Sequence, residues 1–220
     1  MFMFFAMQQP EMITQQLEGW TLKLEADLVQ DADWKSAKAE LTRQLQNIER
    51  VVPDGPLAKL KGITIWVHRQ STETPCMAYH PDRGWLVQHK QDPRMAKCVE
   101  LANVKNFVSW TYEQPWMVLH ELAHSYHDQT LADGFGNKEV KTAFDQIVAS
   151  KKYESVLHWN GKQAKHYALN NPMEFFAEST ESYFGMNDFF PFVNAELATY
   201  DPNTYALMQK IWGVRAKRSG

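Results

Sequence analysis

A chain of 220 residues, 44% apolar and 22% charged, has the composition of an ordinary globular protein and is long enough to bury one substantial core. A net charge of −3 supplies no basic field for nucleic acid, and no run approaches the roughly 18 apolar residues of a membrane span. Aromatic content of 13% argues against disorder, and the two cysteines, Cys76 and Cys98, are too few for a disulfide scaffold or a cysteine metal site. One bridge between them suits an exported protein; two thiols suit a reducing compartment.

Residues 1–12 open with the apolar run Met1 to Met7, which has neither a basic lead nor a small-residue cleavage pattern. It reads as an apolar arm or the remnant of a signal peptide, and export (periplasmic or secreted) is favoured over the cytoplasm. Trp20, Leu22 and Leu24 alternate with polar neighbours, so residues 13–26 read as a strand bent at Gly19. Trp34, Ala37, Leu41, Leu45 and Ile48 recur at helical spacing, with Asp31 or Asp33 as cap. Pro53 to Pro56 reads as a turn, and Ile63, Ile65 and Val67 as a strand. Residues 13–111 are thus expected to be mostly strand scaffold and cleft loop. The loop is the polar, proline-rich stretch from Gln70 to Ala96, which carries His80 and His89. Residues 98–103 then read as a short strand, a candidate sheet edge on which an extended peptide could add itself by main-chain hydrogen bonds.

The stretch Trp116 to His127, WMVLHELAHSYH, holds the pattern H-E-x-x-H at His120, Glu121 and His124. On a helix, residues four apart lie about 40° from each other and roughly 6 Å along the axis, so two imidazoles can grip one metal ion. Glu121 is then placed to reach a water at that metal. The neighbours Trp116 to Leu119, Leu122 and Ala123 are apolar, which suits a buried helix rather than two surface histidines. A third ligand is still needed. His127 lies about 10 Å beyond His120 in helical rise and suits the cleft wall or a supporting contact to a ligand. Ten residues after the first His stands Thr130, so a three-histidine pattern fails.

Asn137 begins an amphipathic helix with Val140, Phe144, Ile147 and Val148 on one side, and Asn160-Gly161 signals a hairpin between residues 156–159 and 162–167. The hairpin delivers His166 and Tyr167, whose side chains point oppositely if extended, so one of the two faces the metal. A helix follows, capped by Asn171, started by Pro172 and stopped by Gly185. It carries Glu174, Glu178 and Glu181 on one face amid aromatic residues. A carboxylate row in apolar surroundings needs a cation or hydrogen-bond donors. Glu174 is the expected third ligand, and Glu178, one turn on, the expected partner for the second nitrogen of a ligand His. Asp188 to Phe192 is an apolar loop, and a last helix runs from Asp201-Pro202 to Gly213.

HELAH, Tyr167, and Glu174 seven residues later within EFFAE together resemble the catalytic domain of anthrax lethal factor and its relatives. Those are gluzincin-type zinc metallopeptidases, and the resemblance covers roughly residues 100 to 190. It implies an α+β, zincin-like fold: a small N-terminal sheet with a helix, a central HExxH helix and a mainly helical part, residues 112–220, that brings the third ligand. It further implies one zinc ion on His120, His124 and Glu174, Glu121 as general base, and Tyr167 stabilising the oxyanion or protonating the leaving group. The motifs are also similar to a small bacterial titration-factor family that cleaves peptides and binds a transcriptional repressor. The expected activity is zinc-dependent hydrolysis of peptide bonds by a single domain spanning 1–220, with a peptide or protein as partner. The alternative is a zinc-binding protein that acts by docking a partner. No sequence signal bears on oligomeric state.

Overall fold

The computed structural model describes residues 10–71 and 73–214; the apolar start Met1 to Met7 and the basic tail Arg215, Lys217 and Arg218 lie outside the described residues. Residues 12–25 form a hairpin rather than one bent strand. Glu18 and Gly19 both take positive φ, 48° and 80°, which suits a tight two-residue turn. β1 (Met12–Leu17) therefore folds back antiparallel on β2 (Trp20–Glu25), and alternation in β2 sends Trp20, Leu22 and Leu24 into the core. α1 (Ala32–Val51) is capped by the Asp31 carboxylate and buries one apolar stripe from Trp34 to Ile48. The expected turn at Pro53–Pro56 instead starts α2 (Asp54–Lys61). Pro56 fits there because amide hydrogens in a first turn have no helical partner.

α1 and α2 carry the chain across to β3 (Ile65–Val67), parallel to β2. The expected cleft loop holds β4 (Met77–Tyr79), α3 (Arg83–Gln88) and a 3-10 turn at Pro93–Met95. β5 (Val99–Leu101) stops short of residue 103 because Asn103 caps α4 (Val104–Glu113), accepting from Asn106 N–H. The scaffold is thus helix-rich, not mostly strand. Its sheet runs β1-β2-β3-β5-β4. β5 is paired on both sides, parallel to β3 and antiparallel to β4, so residues 98–103 are not the edge; β4 is.

α5 (Met117–Thr130) carries the histidine motif. α6 (Lys138–Ser150) is capped by Asn137 and buries Val140 and Ile147, while Val148 is exposed. A short hairpin, β6 (Val156–Leu157) with β7 (Gln163–Ala164), leads to α7 (Pro172–Phe184), which Asn171 caps. α8 (Asn194–Tyr200) and α9 (Pro202–Trp212) close the chain. The fold is mixed α and β around a small sheet. One core cluster runs from Trp20, Leu22 and Val99 through Leu119 and Leu122 to Phe176 and Trp212, and a smaller one, Trp66 with Leu86 and Met95, covers the other sheet face. No described helix is long and apolar enough to cross a membrane, and both cysteines are free thiols.

Candidate metal centre

α5 begins without a side-chain cap of its own, so its first-turn amides need other partners. Gln44 of α1, itself buried, supplies one: its Oε1 accepts from Val118 N–H at 3.1 Å. The N-terminal scaffold thereby sets the position of the helix that carries His120. α7 crosses α5 antiparallel. Where α5 begins, Trp116 lies against Gly185 at the end of α7, so close that a Cβ on Gly185 would sit 1.9 Å from Trp116 Cε2. The glycine serves this approach and not a left-handed turn, since its φ is −148°.

That contact brings the motif residues into one register. His120 Nε2 lies 3.1 Å from Glu174 Oε2 and 3.1 Å from His124 Nε2, and His124 Nε2 lies 3.4 Å from Glu174 Oε2. Neighbouring donors on a tetrahedral zinc with bonds of about 2.0–2.1 Å stand about 3.3 Å apart. The three atoms therefore fit a zinc-sized cation. A cation also answers the local charge. Glu174 is pushed up by burial, but hydrogen bonds and charge from His120 and His124 outweigh this and hold it well below the usual carboxylate range. Burial opposes a charge on His120, yet its bonds to Glu174 and Glu181 raise its pKa well above the usual value.

The second nitrogen of His120 has two buried carboxylates beside it, and Glu181 stands nearer than the expected Glu178. Nδ1 lies 2.6 Å from Glu181 Oε1 and 3.5 Å from Glu178 Oε1. Glu178 instead accepts from Asn187 Nδ2 through Oε2, at 2.9 Å. Because the helices run antiparallel, the carboxylate nearest Nδ1 is two turns from Glu174, not one. Both carboxyls are buried, which pushes both up; the charge of Glu181 raises Glu178 further, while His120 pulls Glu181 back. Glu181 Oε2 is buried with no hydrogen-bond partner among the described residues.

Glu121 faces the same cavity, of about 310 Å³, whose wall includes Met77, Tyr79, Trp110, Gln114 and Tyr167. Its Oε2 accepts from the backbone N–H of Tyr79 at 2.7 Å, leaving Oε1 free of that bond. Tyr167 is 47% exposed and lines the cavity; burial and the nearby Glu174 raise its phenol pKa, so it stays a proton donor at neutral pH. His166 does not line the cavity but lies behind it, its Nδ1 3.7 Å from Glu178 Oε2. Its ring packs between Tyr153 and Phe189, its Nδ1 accepts from Ala168 N–H, and burial lowers its pKa to about 3. His127 is also not part of the site. It is fully buried between Phe135 and Phe176, neither ring nitrogen has a hydrogen-bond partner among the described residues, and burial takes its pKa down to about 4. His80 and His89 lie away from the cavity wall: His80 pairs with buried Glu100 at 2.7 Å, and His89 stacks on Trp85.

Sequence reasoning missed the Tyr79 amide, Gln114 and Trp110. The first is a backbone group with no residue signature, and the other two belong to α4 and the residue after it.

No family model matches the chain, and no curated protein matches it. Among solved structures it is similar to the PRO-PRO endopeptidase PPEP-2 from Paenibacillus alvei, at 20% identity and a TM-score of 0.42, over 79% of this chain and 89% of that one. A likeness at this level decides neither fold nor function.

Proposed function

We propose that the chain is a zincin-type metallopeptidase domain that hydrolyses peptide bonds with one zinc ion on His120, His124 and Glu174. The observation that carries this is the triangle of donor atoms, 3.1 to 3.4 Å on a side, with Glu121 and Tyr167 in the same cavity. Zinc, when bound, supplies Lewis acidity that acidifies water and polarises a carbonyl.

The rest falls to the protein. Glu121 is the general base. Its Oε2 is anchored by the Tyr79 amide, so Oε1 is the oxygen that takes the proton of the attacking water and returns it to the departing amine. The water oxygen bonds to the carbonyl carbon, the C=O electron pair moves onto oxygen, and its return breaks the C–N bond as the amine is protonated. The neutral phenol of Tyr167 donates a hydrogen bond to the developing oxyanion, the largest electrostatic demand of the reaction. Glu181 accepts from His120 Nδ1, which fixes the tautomer and leaves the Nε2 lone pair free for the metal. The edge of β4 is a place for an extended peptide to pair. A purely structural metal would need a fourth protein ligand, and His127, the candidate for it, is neither in the donor group nor in the cavity wall.

The test is cleavage of a peptide library by wild type and Glu121→Gln side by side. Wild type should cleave, and the Gln variant should keep its zinc and lose turnover. Full turnover by Glu121→Gln would exclude this base.

A further inference from the structure

The ladder between β4 and β5 fixes which groups of β4 face outward. Cys76 C=O accepts from Ala102 N–H and His80 N–H donates to Cys98 C=O, so residues 76, 78 and 80 turn their backbone groups toward β5. Met77 and Tyr79 turn theirs to the open edge, where Glu121 already holds the Tyr79 N–H.

Side chains alternate with the same period. Met77 and Tyr79 point to the α5 face, where Tyr79 Oη donates to Asp128 at 2.6 Å. Ala78, opposite Glu100, points to the other face. There a second cavity of about 480 Å³ adjoins the first along β4, sharing Met77, Ala78 and Tyr79 with it. Its remaining wall is Thr74, Pro75, Pro81, His80 and Trp85, with Glu73 and Asp82 as its acidic members. Trp85 is 40% exposed yet held: its ring stacks on His89 at 3.9 Å and on His80 at 6.0 Å. His80 in turn is fixed by buried Glu100, which also accepts from His68. The wall is therefore rigid, apolar in its body and acidic at Glu73 and Asp82.

A peptide added to the β4 edge would alternate in the same way. The residue paired with Met77 would direct its side chain toward the metal cavity, and the residue paired beside Ala78 would direct its own into the second cavity. Ala78 is small enough to leave that path open. We infer that this cavity is the specificity pocket for the peptide residue adjacent to the one facing the metal, and that it selects a bulky apolar side chain and rejects an acidic one. The inference rests on the peptidase reading for its occupant and on the register of β4 for its position.

The experiment is positional scanning of a peptide library with zinc-loaded wild type, Ala78→Phe, which fills the cavity, Trp85→Ala, which removes its wall, and Trp85→Phe. The same peptides, fluorescently labelled, are titrated by anisotropy onto each change in the Glu121→Gln background. Wild type should favour a bulky apolar residue over Asp or Glu at one position by on the order of tenfold or more, as apolar pockets do. Ala78→Phe and Trp85→Ala should bring that ratio below about twofold, leave the preference at the next position unchanged, and keep zinc content; Trp85→Phe should restore most of it. Cleavage with unaltered preferences in Ala78→Phe and Trp85→Ala would overturn the pocket while keeping the peptidase. Binding without cleavage by wild type, weakened by Ala78→Phe only for bulky apolar peptides, would keep the pocket and remove the peptidase.

Discussion

Substitution of Glu181 separates the two buried carboxylates that sequence spacing alone does not distinguish. Glu181 Oε1 stands 2.6 Å from His120 Nδ1, whereas Glu178 Oε1 stands 3.5 Å away and has its other oxygen on Asn187. A net hydrogen bond to a charged group contributes about 1.5–3 kcal/mol, roughly twice a neutral one. Glu181→Gln keeps an acceptor but removes the charge, a loss of about 1–1.5 kcal/mol, or about tenfold in zinc affinity. Glu181→Ala removes the acceptor too and should cost about 10- to 100-fold. Glu178→Gln should cost less than about threefold, since 3.5 Å is at the limit of a hydrogen bond. Competition of each variant against a chromophoric chelator measures all three. A larger loss for Glu178→Gln than for Glu181→Gln, or no loss for Glu181→Ala, would show that Glu181 does not orient His120.

Gly185→Ala should destabilise by about 3 kcal/mol, the upper end for overpacking, because a contact of 1.9 Å with the Trp116 ring exceeds what a rotamer change can relieve. Thermal unfolding should show a lower midpoint, and a loss under about 1 kcal/mol would mean that the helices part easily there. Tyr167→Phe should lower kcat by about 100-fold with bound zinc unchanged, the scale of one lost oxyanion donor; an unaltered kcat would remove Tyr167 from the mechanism. Glu100 predicts an acid-limb effect. Burial pushes its carboxyl up, but His68 and His80 outweigh this and lower it from 4.5 to about 2. A depressed pKa adds stability above the unfolded value that is lost as pH falls toward the folded one, in all about 3 kcal/mol, of which about 2 kcal/mol disappears between pH 5 and pH 3. Urea unfolding at those two pH values should show Glu100→Gln losing correspondingly less than wild type, and parallel losses would contradict the assignment.

The parts of the fold that were legible are those where a cap, a period and a stop coincide. Asn171, Pro172 and the glutamate row mark α7; Asp31 and the Trp34-to-Ile48 stripe mark α1; Asn137 marks α6. Where one residue serves two readings, the sequence does not separate them. Pro53 to Pro56 has turn chemistry but starts a helix, and Asn103 looked like the end of a strand but caps α4. β4 is three residues long between Pro75 and Pro81, too short to alternate visibly, so its sequence carries no sign of a sheet edge. Helical spacing within each segment places His120 with His124 on one face and Glu174 with Glu178 and Glu181 on another. It does not give their supporting contacts, because the choice between Glu178 and Glu181 depends on how the helices cross, and the anchor of Glu121 is a main-chain amide.

X-ray absorption at the zinc edge on the zinc-loaded protein tests the central claim most directly. The account predicts one zinc per chain with only nitrogen and oxygen neighbours at about 2.0–2.1 Å, two of them imidazoles, and loss of that zinc in Glu174→Ala. A sulfur neighbour at about 2.3 Å, or a spectrum unchanged by Glu174→Ala, would contradict it.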